Sequence, residues 1–248
     1  MSFDIPASHC RPPAAQLPGV RPPVVPGMLH RAVVAVDVVG FGRRVPALHP
    51  HLRAALYHVT ETAFAAVGLP LHLCDHEDRG DGILVIAPPD AGIEALLCHL
   101  PAHLHAALRH HNQMSARAAR LRLRLAVNAG YVHLDRHGAG GRALIHLHRL
   151  LDAPAFKTIL DDHHADLGLI TSDDLYQEIV CGGPGLIDPA AFLQIDVAVK
   201  ETRARAWMWM PDLAPAWPRL TWSPDSTPLP HHGEPPGHPR AHGRDRLN

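Results

Sequence analysis

Two rhythms of apolar and polar positions run along the chain, and the change from one to the other marks its elements. Ala32-Val33-Val34-Ala35-Val36 is short, unbroken and rich in β-branched residues, which predicts a central strand buried on both faces. Beyond Gly40-Phe41 the period lengthens. Leu52, Leu56, Val59, Ala63 and Val67 fall three or four residues apart, on one face of a helix. Gly68-Leu69-Pro70 ends that helix, because glycine tolerates the reversal and proline cannot continue the ladder. Leu71-His72-Leu73-Cys74 and Ile83-Leu84-Val85-Ile86 then flank Asp78-Arg79-Gly80-Asp81-Gly82, predicting a β-hairpin with a Gly-rich turn.

A second helix is expected from Asp90, with Ile93, Leu96, Leu97, Leu100, Leu104 and Leu108 on one side and a kink at Pro101. Leu121 to Val127 alternates strictly and reads as a half-buried strand leading into a second hairpin around Asp135 to Gly138. A helix follows from Arg142 to about Leu151. Then come a strand at Leu167 to Ile170, a short helix near Leu175 to Val180, and a closing pair at Phe192 to Val199 and Ala204 to Met210. Hairpins separated by helices indicate an α/β (α+β) fold, a mixed sheet with helices packed on it.

Composition changes the picture mainly at the ends. Residues 1–28 hold Arg11-Pro12-Pro13, Arg21-Pro22-Pro23 and Pro26-Gly27 and read as a flexible Pro-rich leader. The domain is expected over 29–211, and 212–248 reads as a disordered Pro/His-rich tail. A formal net charge of -1 gives no field that would draw in nucleic acid or an anionic membrane. No apolar run reaches the ~20 residues of a membrane span, and the N-terminus lacks the pattern of a signal peptide. Cys10, Cys74, Cys98 and Cys181 are widely spaced, with no C-x-x-C pair, which suits a reducing, cytoplasmic setting. The 22 histidines accompany abundant Ala, Arg, Gly and Pro, a bias of composition more than a dedicated chemistry. His99 and His103, four apart on a helix, and His163-His164 beside Asp161-Asp162 have metal-ligand spacing, but no third and fourth ligand is evident beside either.

Three segments stand out as chemistry. Asp37 ends the buried strand within Val36-Asp37-Val38-Val39-Gly40-Phe41, and Asp81 sits in the turn Arg79-Gly80-Asp81-Gly82. Either aspartate alone is explained by turn chemistry. The third segment is Gly141-Arg142-Ala143-Leu144-Ile145-His146-Leu147-His148-Arg149-Leu150. In this order they resemble the class III nucleotidyl (adenylate/guanylate) cyclase catalytic domain, in a divergent bacterial-type form. That family has Asp-Ile/Val-x-Gly-Phe after its first strand, a Gly-Asp-Gly hairpin, and a helix reading Gly-x-x-Val-Asn-x-x-x-Arg-Leu. Lys200-Glu201 followed by Trp207 is similar to its closing hairpin.

The resemblance implies a ferredoxin-like βαββαβ core and conversion of a nucleoside triphosphate to a 3′,5′-cyclic nucleotide and pyrophosphate. Two Mg²⁺ or Mn²⁺ ions per site are implied, held by Asp37, Asp81 and the Val38 carbonyl. Gly40, Phe41 and Gly80 match substrate-binding positions, and Arg149 matches the arginine that neutralises charge growing on the α-phosphate. Glu77 lies where the family reads the base, and a carboxylate there suits guanine; the alternative is an exposed strand residue. In the family the site forms between two chains, so a homodimer is implied, with Asp37 and Asp81 of one protomer and Arg149 of the other. A compact domain without sensor or anchor suggests bacterial signalling or antiphage defence.

The departures bear on activity. Ile145 stands where an asparagine orients the ribose, a loss of about 1–3 kcal/mol, or roughly 5- to 150-fold in rate. Gly42 replaces the usual Thr or Ser, and Arg43 and Arg44 follow it, free either to meet triphosphate oxygens or to be solvated. The rival to a working enzyme is therefore a catalytically silent cyclase-like domain that binds a nucleotide or a protein as a regulatory module.

Overall fold

The computed structural model describes residues 27–182 and 187–211, so the expected leader up to residue 26 and the tail from 212 lie outside the described residues. Strand β1 (Met28–Val38) pairs antiparallel with β3 (Gly82–Ile86) on one edge and with β4 (Leu123–Asp135) on the other. Strand β2 (Asp75–Asp78) closes the outer edge against β3. Helix α1 (His49–Ala66) follows β1, and helix α2 (Leu100–Met114) joins β3 to β4. The result is a βαββαβ unit with spatial order β2-β3-β1-β4.

The rest of the chain extends this sheet on the β4 side. Strand β5 (Gly138–Gly140) turns back on β4, and α3 (Arg142–Leu151) and α4 (Pro154–Asp162) follow. Strand β6 (Leu167–Ser172) then lies parallel to β4, and β8 (Thr202–Trp209) and β7 (Leu193–Val199) complete the eight-stranded mixed sheet. Helices cover both faces. Val34, Val36 and Val38 face α1 and α2, whereas Val33 and Ala35 face α3 and α4. That two-sided burial is why Ala32 to Val36 contains no polar residue.

Helix α1 follows the expected period, with Leu52, Leu56, Val59 and Ala63 buried, and Gly68 takes up a left-handed φ of 76° just past its end. Helix α3 has the expected bounds. Three expectations need correction. Leu71–Leu73 is a tight 3-10 turn, and the hairpin strand begins only at Asp75. The expected helix through Pro101 runs unbroken over 93–114 but is not α throughout: Ala95–His99 forms a π-turn just before the proline, which has no N–H to continue the α ladder. The strand at Leu121 to Val127 is not half-solvated: Arg122 and Arg124 alternate with its leucines, but both are engaged beneath α4 and beside β1. Helix α4 gives little sequence signal, having only Phe156 and Leu160 buried among its nine residues.

Candidate functional site

Strand pairing alone brings the two aspartates together. Asp37 is the penultimate residue of β1 and faces Gly82, the first residue of β3, so Asp81 in the preceding turn lies beside it. The Val38 N–H donates to the Asp81 carbonyl at 2.9 Å, fixing the turn against the strand end. Gly80 supplies the left-handed φ of 84° that the turn needs, and the Asp78 side chain accepts from the Gly80 N–H at 2.7 Å. Arg53 of α1 clamps Asp78 and the Gly80 carbonyl from outside.

Asp37 also faces Arg124 across β1 and β4, and opposite residues share a face of the sheet. Arg124 donates from Nε to Oδ1 at 2.8 Å and from Nη2 to Oδ2 at 2.6 Å. Both side chains are largely withdrawn from water, at 16% and 14% exposure for Asp37 and Arg124. Burial pushes the Asp37 carboxyl up to about 6 against the downward pull of Arg124, and the charge of Asp81 adds to the rise.

This ion pair separates two cavities. One, of about 340 Å³, is lined by Asp37, Asp81, Arg79, His148, Leu151 and Asp152. The other, of about 330 Å³, has Gly40, Arg43, Arg124 and Lys157 on its walls. Gly40 is left-handed, with φ 67°, and the Arg43 guanidinium lies so close over it that an added Cβ would sit 2.8 Å from Nη2. Arg44 is spent elsewhere, on the carbonyls of Ala118 and Arg120. Phe41 stacks on His49 with ring centroids 4.3 Å apart, a local brace for the loop after β1. Three cations therefore reach one small cavity, of which Arg124 is paired with Asp37 and Lys157 with Asp152, and the Asp161 carboxylate shares the wall. Arg124 and Lys157 escaped the sequence reading; the available signal was an arginine placed between leucines in a central strand.

The remaining sequence-predicted residues divide. One Glu77 oxygen accepts from the Ala139 N–H at 3.1 Å, so this carboxylate ties the β4–β5 hairpin to the sheet edge. Its other oxygen lies 3.7 Å from Arg79 Nη2. Ile145 and Arg149 do not meet the aspartates within one chain. Ile145 is 51% exposed and, with Met28, Tyr131, His146 and Glu201, lines a separate groove of about 940 Å³. Arg149 donates from Nη2 to Glu201 Oε1 at 3.2 Å, and its Nε is buried without a partner among the described residues. Met28, Leu29, Tyr131 and Ile145 are all exposed apolar side chains at this end of the sheet.

Among the described residues no cluster of three or more His, Cys, Asp and Glu side chains forms a metal centre, His99 and His103 included. The oxygen donors at the strand ends are Asp37, Asp81 and the nearby main chain. Their chemistry suits a hard dication, and a carboxylate oxygen held by an arginine retains a lone pair for a second partner. Among the described residues no helix is long and apolar enough to cross a membrane.

No family model and no curated protein matches the sequence. Solved structures do match. An adenylate/guanylate cyclase/hydrolase from Silicibacter pomeroyi is 19% identical, with a TM-score of 0.54 over 75% of this chain and 99% of that one. The guanylyl cyclase Cya2 is 14% identical, with a TM-score of 0.54 over 75% of this chain and 92% of that one. A bacterial light-regulated adenylyl cyclase is 11% identical, with a TM-score of 0.53 over 75% of this chain but 53% of the other. The described domain therefore has the fold of class III cyclase catalytic domains, in a divergent sequence.

Proposed function

We propose that the chain is a nucleotidyl cyclase that converts a nucleoside triphosphate to a 3′,5′-cyclic nucleotide and pyrophosphate at sites shared by two copies. The observation that carries this reading is the separation of two half-sites: Asp37 and Asp81 at adjacent strand ends, and a different groove, lined by Ile145 and by the Arg149 partner Glu201, with apolar side chains exposed around it. A second copy docked on that groove unites them.

In this reaction the ribose 3′-hydroxyl gives up its proton to solvent as its oxygen attacks the α-phosphorus, the bond from that phosphorus to the bridging oxygen breaks, and pyrophosphate leaves with its electron pair. Asp37, Asp81 and the Val38 carbonyl would hold Mg²⁺ or Mn²⁺, a Lewis acid that would acidify the 3′-hydroxyl and offset phosphate charge. Arg43, Arg124 and Lys157 bind the triphosphate tail, with Gly40 and Phe41 shaping the loop beneath it. Arg149 of the second copy meets the charge that grows on the α-phosphate, a role that needs Glu201 to release it. Gly80 holds Asp81 in place. Glu77, with one oxygen already accepting from the main chain of β5, has its other oxygen free of that bond to read a base.

Ile145 favours a second reading, a silent cyclase-like module that binds nucleotide or protein without turnover, because an exposed isoleucine offers the ribose no hydrogen bond. Incubation with each of the four triphosphates and Mn²⁺, with products resolved by mass spectrometry, separates the two. A cyclic monophosphate that disappears in Asp37→Asn supports the enzyme. Its absence with every triphosphate supports the module.

A further inference from the structure

Among the described residues Arg79 is the one arginine or lysine in the wall of the Asp37/Asp81 cavity, and the fold makes little use of it. Its side chain is 47% exposed, and its ion pair with Glu77 spans 3.7 Å. Half-solvated pairs of that length contribute little, typically under about 1 kcal/mol. Its only other polar side-chain contact among the described residues is from the same nitrogen: Nη2 lies 3.4 Å from His148 Nε2. Nε and Nη1 make no hydrogen bond among the described residues.

The backbone beneath it is well anchored. The Arg79 N–H donates to the Gly82 carbonyl at 2.9 Å, and the residues on either side are clipped by the Asp78 side chain and Arg53. Burial holds His148 below its usual value, and the Arg79 charge adds to that. A neutral imidazole in this position can accept from Arg79 where an imidazolium would repel it. Glu77 is itself fixed by the Ala139 N–H. A long cationic side chain is thus steered by two anchored acceptors, both on one nitrogen, with the rest of its donor fork left free beside two carboxylates.

We infer that Arg79 is a phosphate-binding residue of the Asp37/Asp81 cavity, and that His148 is the positioning residue that holds it there. The ligand group is a non-bridging phosphate oxygen of a triphosphate, for which an arginine fork provides paired donors. The inference rests on the proposed reading, in which the aspartates of this cavity meet the phosphates of a triphosphate whose tail reaches the neighbouring cavity. It adds a cation on the Asp37/Asp81 side of the site to Arg43, Arg124 and Lys157 of the same chain and to the arginine contributed across the dimer.

Calorimetry with the full chain, Mn²⁺ and inorganic triphosphate tests this without choosing a base. Arg79→Gln is expected to weaken triphosphate binding about tenfold or more, while the affinity for Mn²⁺ alone stays level or rises as a nearby cation is removed. Arg79→Lys keeps the charge without the fork and falls between the two. His148→Leu is expected to reproduce part of the loss, and His148→Gln, whose amide oxygen can accept from Nη2, to restore it. Thermal melts accompany each variant, and a half-exposed side chain leaves the melt of Arg79→Gln unchanged. If Arg79→Gln binds triphosphate like wild type while Asp37→Asn does not bind, Arg79 is a surface ion pair and the inference fails, though the site reading stands. Equal losses for Mn²⁺ and triphosphate in Arg79→Gln also overturn it, since they report damage to the turn. Wild-type protein that binds no triphosphate with Mn²⁺ overturns the site reading and this inference together.

Discussion

Arg124 grips both oxygens of Asp37 from the neighbouring strand, through Nε and Nη2 at 2.8 and 2.6 Å. The contact follows from register, because the two residues face each other across β1 and β4. A carboxylate needed at the end of a buried strand is costly to desolvate, and its opposite neighbour offsets that cost before any ligand arrives. Arg124→Leu leaves Asp37 without its partner, and the expected loss is about 3 kcal/mol, measured by urea unfolding near neutral pH. Asp37→Asn combined with Arg124→Leu should be less damaging than the sum of the singles, the signature of direct coupling.

Metal binding should depend on both aspartates. Titration of the wild type with Mn²⁺ is expected to give a binding isotherm that Asp37→Asn and Asp81→Asn each weaken greatly. Identical isotherms in all three proteins would remove the metal from the proposed mechanism.

Shared sites have a direct consequence for mixed dimers. Asp37→Ala and Arg149→Ala should each be inactive alone, yet regain part of the wild-type rate when mixed, because one of the two composite sites recovers every group. Subunit exchange is followed by tagging each variant. No recovery in exchanged dimers means that a single chain carries the whole site.

Ile145 distinguishes the enzyme from the silent module. A buried position would make an asparagine costly, but this side chain is half exposed, so Ile145→Asn should leave the melt unchanged. Turnover is expected to rise, by as much as the about 1–3 kcal/mol that one polar contact supplies. A fall in turnover would show that the ribose is oriented by another group, His146 and His148 being the neighbours to test next.

The Asp78–Arg53 clamp predicts an acid-sensitive hairpin. Arg53 and the Gly80 N–H hold the Asp78 carboxyl below its ordinary value of 3.8, so the clamp stabilises the fold above that pH. The contribution is lost as pH falls from about 4 through the lowered folded value. Thermal melts between pH 5 and pH 2.5 should fall less steeply in Arg53→Gln than in wild type. Parallel slopes would mean that the clamp is too solvated to matter.

Local pattern was enough for much of this architecture. The unbroken run Ala32 to Val36 could only be a strand covered on both sides, and α1 and α3 were legible because their apolar residues repeat often enough to define a face. Helix α4 was not, since two buried side chains in nine residues do not establish a period. Leu71 to Cys74 misled because apolar spacing over four residues cannot separate a strand from a 3-10 turn. The order of the three motifs pointed to the βαββαβ core, and the similarity of the described domain to solved cyclase structures is at the level of fold.

Sequence by itself determined which residues could do chemistry and which elements bear them, because side-chain type and hydrophobic period are local properties. Tertiary structure alone decided who meets whom. Register set Arg124 against Asp37, 87 positions away. The α3–α4 turn brought Lys157 to the same cavity as Arg43. Helix rotation sent His148 toward Asp81 and its neighbour Arg149 toward Glu201. Consecutive residues on a helix diverge by about 100°, so adjacent positions of one motif serve different sites. Such pairings depend on strand register and helix phase across the whole domain, and no window of sequence contains them.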